Sequence, residues 1–273
     1  MTGRTGWTES ELVADLVRLG VREGDTLLVQ ASLRSVGPVQ GGAAAVASAL
    51  RRALGPAGTL AAYTATPENS DTSRLFQQAT AGMDAAALAR HRAGMPAFDR
   101  WTTPCSPTVG RLSEQIRRLD GALRSDHPQT SFAAVGPAAA ELVEPHPPEC
   151  HLGAESPLGR LYRGGASALL IGVPHWMCTA YHLAEYQVDW RARRRYSCVV
   201  KDADGAARWL EFTGLDLDDR HFPRLGAAVR RTVRFGRGRL GDAVCFRVPL
   251  VDAVDAARGW LSDPANLALF QVG

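Results

Sequence analysis

Apolar residues recur at two different spacings along this chain, and the changes of spacing outline its elements. Thr8-x-x-Glu11 is a capping-box pattern, in which each side chain satisfies a backbone N–H at the start of a helix. Leu12, Leu16 and Leu19 follow at helical spacing until Gly20. Residues 26–30 form a short apolar run that predicts a buried strand. Residues 43–54, behind Gly41-Gly42, predict a helix that Gly55-Pro56 ends, and residues 59–64 predict a second strand. This strand–helix–strand unit is the building block of a parallel sheet. Further strands are expected over 132–135, 168–173, 196–201, 208–212 and 244–248. Residues 66–108 show no clear period and are rich in Pro, Thr, Ser and Asn, which predicts an irregular lid or binding segment. The fold class is α/β: a three-layer sandwich with a central mixed sheet flanked by helices, plus loop-rich insertions, in one domain spanning 1–273.

Composition narrows the setting. A chain of 273 residues that is 45% hydrophobic can bury a substantial core. No apolar stretch approaches the roughly 20 residues needed to span a bilayer, and the first residues lack an apolar signal core. The five cysteines are scattered with no C-x-x-C pair, which favours reduced thiols over disulfides or a zinc knuckle. A net charge of +3, with Lys201 the only lysine, is too mild to indicate nucleic acid. The expectation is a cytoplasmic, soluble protein with no nucleic-acid or membrane partner, either monomer or homodimer.

The chemistry concentrates after the apolar run 168–173. Pro174 and a polar turn follow it, then a helix-like segment that carries His182 and Glu185 three residues apart. Positions i and i+3 share a helix face, so an imidazole and a carboxylate can enter one site beside a strand end. That pairing suits a general base with a partner that orients it. A bare H-x-x-E also occurs on solvated helix faces. A metal-dependent hydrolase on His127, His182 and Glu185 would need a triad with an open position, and no H-E-x-x-H pattern is present. A non-catalytic binding protein on the same fold would have little use for the pair. After the first strand come Ser32, Leu33, Arg34, Ser35, Val36 and Gly37, then Gly41-Gly42 and a helix. The stretch reads as an ordinary turn or as a phosphate site made of small residues, helix N–H groups and Arg34. It is neither G-x-G-x-x-G nor a P-loop.

These residues and others in order resemble the aminoglycoside N3-acetyltransferases. The likeness runs through 27–33 (LLVQASL) with Gly37, 54–60 (LGPAGTL), Phe98-Asp99 with Thr103-Pro104, and 110–114 (GRLSE). It continues through 124–132 (RSDHPQTSF), 156–159 (SPLG), 170–173 (LIGV), 182–186 (HLAEY) and 241–243 (GDA). The resemblance implies transfer of acetyl from acetyl-coenzyme A to the 3-amino group of a 2-deoxystreptamine aminoglycoside, giving antibiotic resistance. Another amine, such as a biosynthetic intermediate, is the alternative acceptor. It implies direct attack in a ternary complex, with His182 as base, no metal and no acyl-enzyme.

Further roles follow from the resemblance. Glu185 would hold the imidazole or bind the cationic sugar. His127 would help shape the active site or be a turn histidine, and Thr130 stands where relatives carry a second histidine. Cys178 is then a space-filling residue rather than a nucleophile. Ser106, Thr108 and Val109 would line the coenzyme channel with residues 32–37, and Ser32 or Thr179 would stabilise the oxyanion. The polycationic acceptor would meet carboxylates at Glu68, Asp71, Glu185 and Asp189, with Asp216, Asp218 and Asp219 outlying.

Overall fold

The computed structural model describes residues 6–267. It begins on the expected cap: Thr8 accepts the Glu11 N–H, and the Glu11 carboxylate accepts the Thr8 N–H at 2.8 Å. A cap of this kind contributes about 1 kcal/mol to the helix behind it, here α1 (Glu9–Arg18). There follow β1 (Thr26–Ala31), the single turn α2 (Leu33–Val36), α3 (Gly42–Leu54), β2 (Thr59–Tyr63), α4 (Arg74–Thr80) and α5 (Ala85–Ala93). The middle of the chain supplies α6 (Arg111–Arg117), β3 (Leu123–Arg124), β4 (Phe132–Val135), α7 (Ala139–Val143), α8 (Pro157–Arg163), β5 (Ser167–Ile171) and α9 (Tyr181–Glu185). The remainder is β6 (Arg193–Lys201), β7 (Ala207–Leu215), α10 (Phe222–Thr232), β8 (Gly236–Leu240), β9 (Ala243–Pro249), α11 (Leu250–Ser262) and α12 (Pro264–Leu267).

Seven strands form one mixed sheet in the order β3-β4-β2-β1-β5-β9-β8. β1 lies parallel to both β2 and β5, and the outer pairs are antiparallel. The inner strands are apolar through their middles, at 27–29, 60–62 and 168–171, because both faces are covered there. Leu27 and Val29 of β1 face Leu12 and Leu16 of α1, Leu50 and Leu54 of α3, and Ile116 of α6. Leu28, between them, packs in the opposite layer with Leu142, Leu158, Tyr181, Leu225 and Val254 from α7 to α11. The same alternation splits Leu169 and Ile171 from Ala168 and Leu170 on β5. This is the expected three-layer architecture.

Three expectations change. Residues 66–108 contain α4 and α5, capped by Ser73 and Asp84, which accept the N–H groups of Phe76 and Ala87. Neither helix buries a residue, so neither needs the apolar stripe that would reveal it. The strands β6 and β7 form their own hairpin outside the main sheet. The hairpin meets the 66–108 segment through bridges at Ser70–Cys198 and Phe98–Val200, over a small cluster of Phe98, Cys198, Val200 and Phe212. Finally, β3 and the edge strand β8, with sequence GRGRL, add to the sheet without apolar alternation. At this edge Arg237 and Arg239 reach solvent, while Gly238 lets Leu19 at the end of α1 pack close, a Cβ there lying 2.7 Å from Leu19 Cδ2.

Candidate active site

β1 and β5 are neighbours and parallel, yet the chain leaves them in opposite directions. After β1 it passes through α2 to α3 on one face; after β5 it passes to α9 on the other. A crevice at the carboxyl ends of such strands is where open α/β sheets bind ligands. Gly172 makes the exit from β5 possible: its φ is +64°, and a Cβ there would lie 2.4 Å from that of Ser35. Gln30, at the end of β1, then fixes the next turn. Its Nε2 donates to the Met177 carbonyl at 3.0 Å, and its Oε1 accepts the Thr179 N–H at 2.9 Å.

That turn leads into α9, which has only five residues. His182 Nδ1 donates to Glu185 Oε2 at 2.6 Å. The contact commits Nδ1 to the carboxylate and leaves Nε2 as the other ring nitrogen. Here His182 lines a cavity of about 390 Å³, walled also by Gln30, Tyr63, Val109, Trp176, Thr179 and Asp219. The His182 side chain is 16% exposed and Glu185 is fully buried behind it. Phe222 packs against the imidazole with ring centroids 4.6 Å apart. On the far side of Glu185, Arg191 approaches Oε1 at 2.9 Å and His221 Nε2 at 3.8 Å. Burial pushes His221 down to about 4, against the pull of Glu185, so it is neutral near pH 7. The arrangement presents an imidazole, oriented by a buried carboxylate, to a pocket of small-molecule size.

A profile of the aminoglycoside 3-N-acetyltransferases matches residues 28–262, which span both halves of the sheet and the dyad. The chain belongs to that family. An aminoglycoside N(3)-acetyltransferase III of Serratia marcescens is 40% identical over 204 residues, covering 74% of this chain and 73% of the relative. The crystal structure of YokD from Bacillus subtilis superposes with a TM-score of 0.86 at 31% identity, covering 93% of this chain and 98% of YokD. The structure of AAC-VIa bound to sisomicin gives 0.83 at 32% identity, covering 94% and 98%. That of AAC-IIIb with CoASH gives 0.80 at 27%, covering 93% and 96%. The protein is an acyltransferase of this kind.

Within this acetyltransferase the predicted residues fall into three groups. His182, Thr108, Val109 and Thr179 line the cavity. The segment 32–37 starts directly beyond Ala31, which lines it too. Gly110 brings the segment 106–109 alongside: its φ is +85°, and a Cβ there would lie 3.1 Å from the Ala31 carbonyl oxygen. Ser106 is buried and donates to Glu68 Oε1 at 2.5 Å, and Ser35 Oγ lies 3.1 Å from Ser32 Oγ. Arg34 is exposed beside this junction.

Others lie elsewhere. Glu185 faces the imidazole, has no exposed side-chain surface and is not among the residues that line the cavity. Glu68 lines a neighbouring cavity of about 420 Å³ beside Phe76, Arg90 and His91. Asp71 is paired with Arg92 at 2.8 Å, and Asp189 is exposed on the turn after α9. His127 is fully buried among imidazoles: its ring centroid is 4.6 Å from those of both His146 and His151. Its Nδ1 accepts the Gln129 and Thr130 N–H groups at 3.1 and 3.0 Å, and its Nε2 donates to the Pro148 carbonyl at 3.1 Å. Both nitrogens are thus hydrogen-bonded within the fold. Among the described residues no three His, Cys, Asp or Glu side chains converge as metal ligands. Cys178 is fully buried and burial pushes its thiol up to about 12, which leaves it inert.

The cavity also contains residues the sequence did not single out for it. Asp219, from the outlying acidic turn, lines the wall and lies 3.5 Å from Arg74 of α4. Tyr63 and Trp176 add aromatic surface. Arg191 and His221 stand behind the dyad, and no local spacing announces either one.

Proposed function

We propose that the chain acts as one acetyltransferase domain that moves acetyl from acetyl-coenzyme A to the 3-amino group of a 2-deoxystreptamine aminoglycoside, by direct attack within a ternary complex. The observation that carries this reading is the 2.6 Å His182–Glu185 contact with His182 on the cavity wall. The reacting amine is the free base. As its lone pair adds to the thioester carbonyl carbon, His182 Nε2 takes a proton from the nitrogen. Collapse of the adduct breaks the C–S bond, and the imidazolium returns the proton to the departing sulfur. Glu185 holds the imidazole in one tautomer and stabilises its charged form. The Thr179 hydroxyl, on the turn clamped by Gln30, is our choice for stabilising the oxyanion.

The coenzyme site we propose lies where segments 32–37 and 106–109 meet at the end of β1. The approach of Gly110 to Ala31, which flank the two segments, supports a shared wall with Arg34 outside it for phosphate oxygens. Asp219 is the carboxylate placed to meet a cationic acceptor inside the cavity. The relatives bound to sisomicin and to CoASH support both substrate classes, and such a reaction would confer antibiotic resistance.

The test is thiol release from acetyl-coenzyme A with a panel of aminoglycosides. Release only when the 3-amino group is free supports the reading. Release from compounds blocked at that nitrogen, or none from any member, overturns the acceptor assignment.

A further inference from the structure

We infer that Arg191 is a positioning residue for the reaction: the fixed counter-charge that holds the buried Glu185 carboxylate aimed at His182. The inference rests on the reading of His182 as the base. Glu185 has no exposed side-chain surface, and an ionised carboxylate so placed is tolerated only beside a compensating cation. Three basic groups lie within 4 Å of it: His182, His221 and Arg191. His182 must be neutral to accept a proton, and burial keeps His221 neutral as well. Arg191, whose charge is permanent, is the remaining source.

The setting of Arg191 fits this role. Its side chain is 8% exposed and does not line the cavity, so any effect on the reaction passes through Glu185. It sits between α9 and β6, over the Trp190 ring at 5.3 Å. One of its terminal nitrogens lies 2.9 Å from Glu185 Oε1 and donates to the Asp216 carbonyl at 2.6 Å. Asp216 closes the stem of the hairpin, where its N–H donates to the Ala192 carbonyl at 2.8 Å. The contact with Glu185 is a charge pair rather than an aligned hydrogen bond, since Oε1 has no well-directed donor. Oε2 is therefore the oxygen committed to the imidazole, and Oε1 the one that faces positive charge. The stem of the hairpin thus fixes the guanidinium, the guanidinium fixes the carboxylate, and the carboxylate fixes the base.

The experiment is a double-mutant cycle on steady-state kinetics of the full chain, with Arg191→Met and Glu185→Gln singly and together. Arg191→Met should lower kcat about 10- to 100-fold with the KM for acetyl-coenzyme A unchanged, because the loss lies in proton transfer. In the Glu185→Gln background it should cost less than about threefold, since the charge it serves is gone. Arg191→Lys should recover part of the lost kcat, and it replaces methionine in the cycle if Arg191→Met does not fold. Multiplicative losses in the double variant, or a change confined to KM, would show that Arg191 is only a strut and overturn the inference. His182→Ala keeps the two ideas separate: if it retains turnover, the base assignment fails; if it is inactive while the cycle is multiplicative, only the Arg191 inference fails.

Discussion

Two groups of histidines lie in this molecule, and they differ in partner and in place. In the cluster of His127, His146 and His151 the imidazoles are turned inward. His146 accepts from Ser125 at Nδ1 and donates to the His151 carbonyl from Nε2, each at 2.9 Å. His127 is likewise bonded at both nitrogens. Burial holds all three below the ordinary histidine range, His146 to about 4 and His151 to about 3. His182 is bonded at one nitrogen only, to a carboxylate, and its ring reaches a cavity. His151 is buried with His127 and His146 although its Nε2 has no hydrogen-bond partner among the described residues. What sets His182 apart is its carboxylate partner together with its place on the cavity wall.

Exchanging the two roles by mutation gives the largest expected effect. His182→Ala should lower turnover about 10²- to 10⁴-fold while coenzyme affinity stays within a few-fold. His127→Ala should do the reverse. It strands two N–H groups and a carbonyl in the interior, so denaturant melts should show about 3 kcal/mol lost, with near-normal kcat in the protein that remains folded. A severe kcat defect in stable His127→Ala protein would erase the contrast.

Acid should act on the stability of the buried cluster. The three clustered imidazoles are neutral when folded. Below about pH 6.5 the unfolded chain binds protons that the folded chain refuses. Stability is therefore fully present above that pH and falls as pH drops towards 4, each imidazole contributing roughly 1 kcal/mol per pH unit. Thermal melts across this window should show the decline, and His146→Asn should flatten it. An equally steep profile in that variant would assign the acid loss elsewhere.

Smaller effects sharpen the edges of the site. Asp219→Asn should raise the acceptor KM about fivefold at constant kcat, the signature of lost uniform binding. Arg34→Ala should raise the KM for acetyl-coenzyme A about threefold and leave the acceptor constant alone. If the two constants move in the opposite assignment, the coenzyme and acceptor ends of the cavity have been exchanged.

The parts of this site visible in the sequence are those whose neighbours are local. The i,i+3 spacing of His182 and Glu185 needs only one turn of helix, and the capping box of α1 needs four residues. The apolar run 26–30 was readable because both its faces are buried. Asp219 was not, because an acidic turn looks solvated until α10 carries it against the cavity through Phe222. Arg191 begins an arginine-rich run, where nothing local tells a buried ion-pair partner from a solvated residue. The helices α4 and α5 escaped notice for the opposite reason: with no buried face they leave no apolar period to find.

The hairpin has a consequence for how such enzymes can be recombined. β6 and β7 are tied to the segment 66–108 at Ser70–Cys198 and Phe98–Val200, by Ser70 donating to the Ser197 carbonyl at 2.8 Å, and by Lys201 against Asp99 at 3.0 Å. Segments more than a hundred residues apart in the chain therefore behave as one cassette. A chimera that takes both from a relative keeps its seam intact, whereas one that takes either alone breaks it along its whole length.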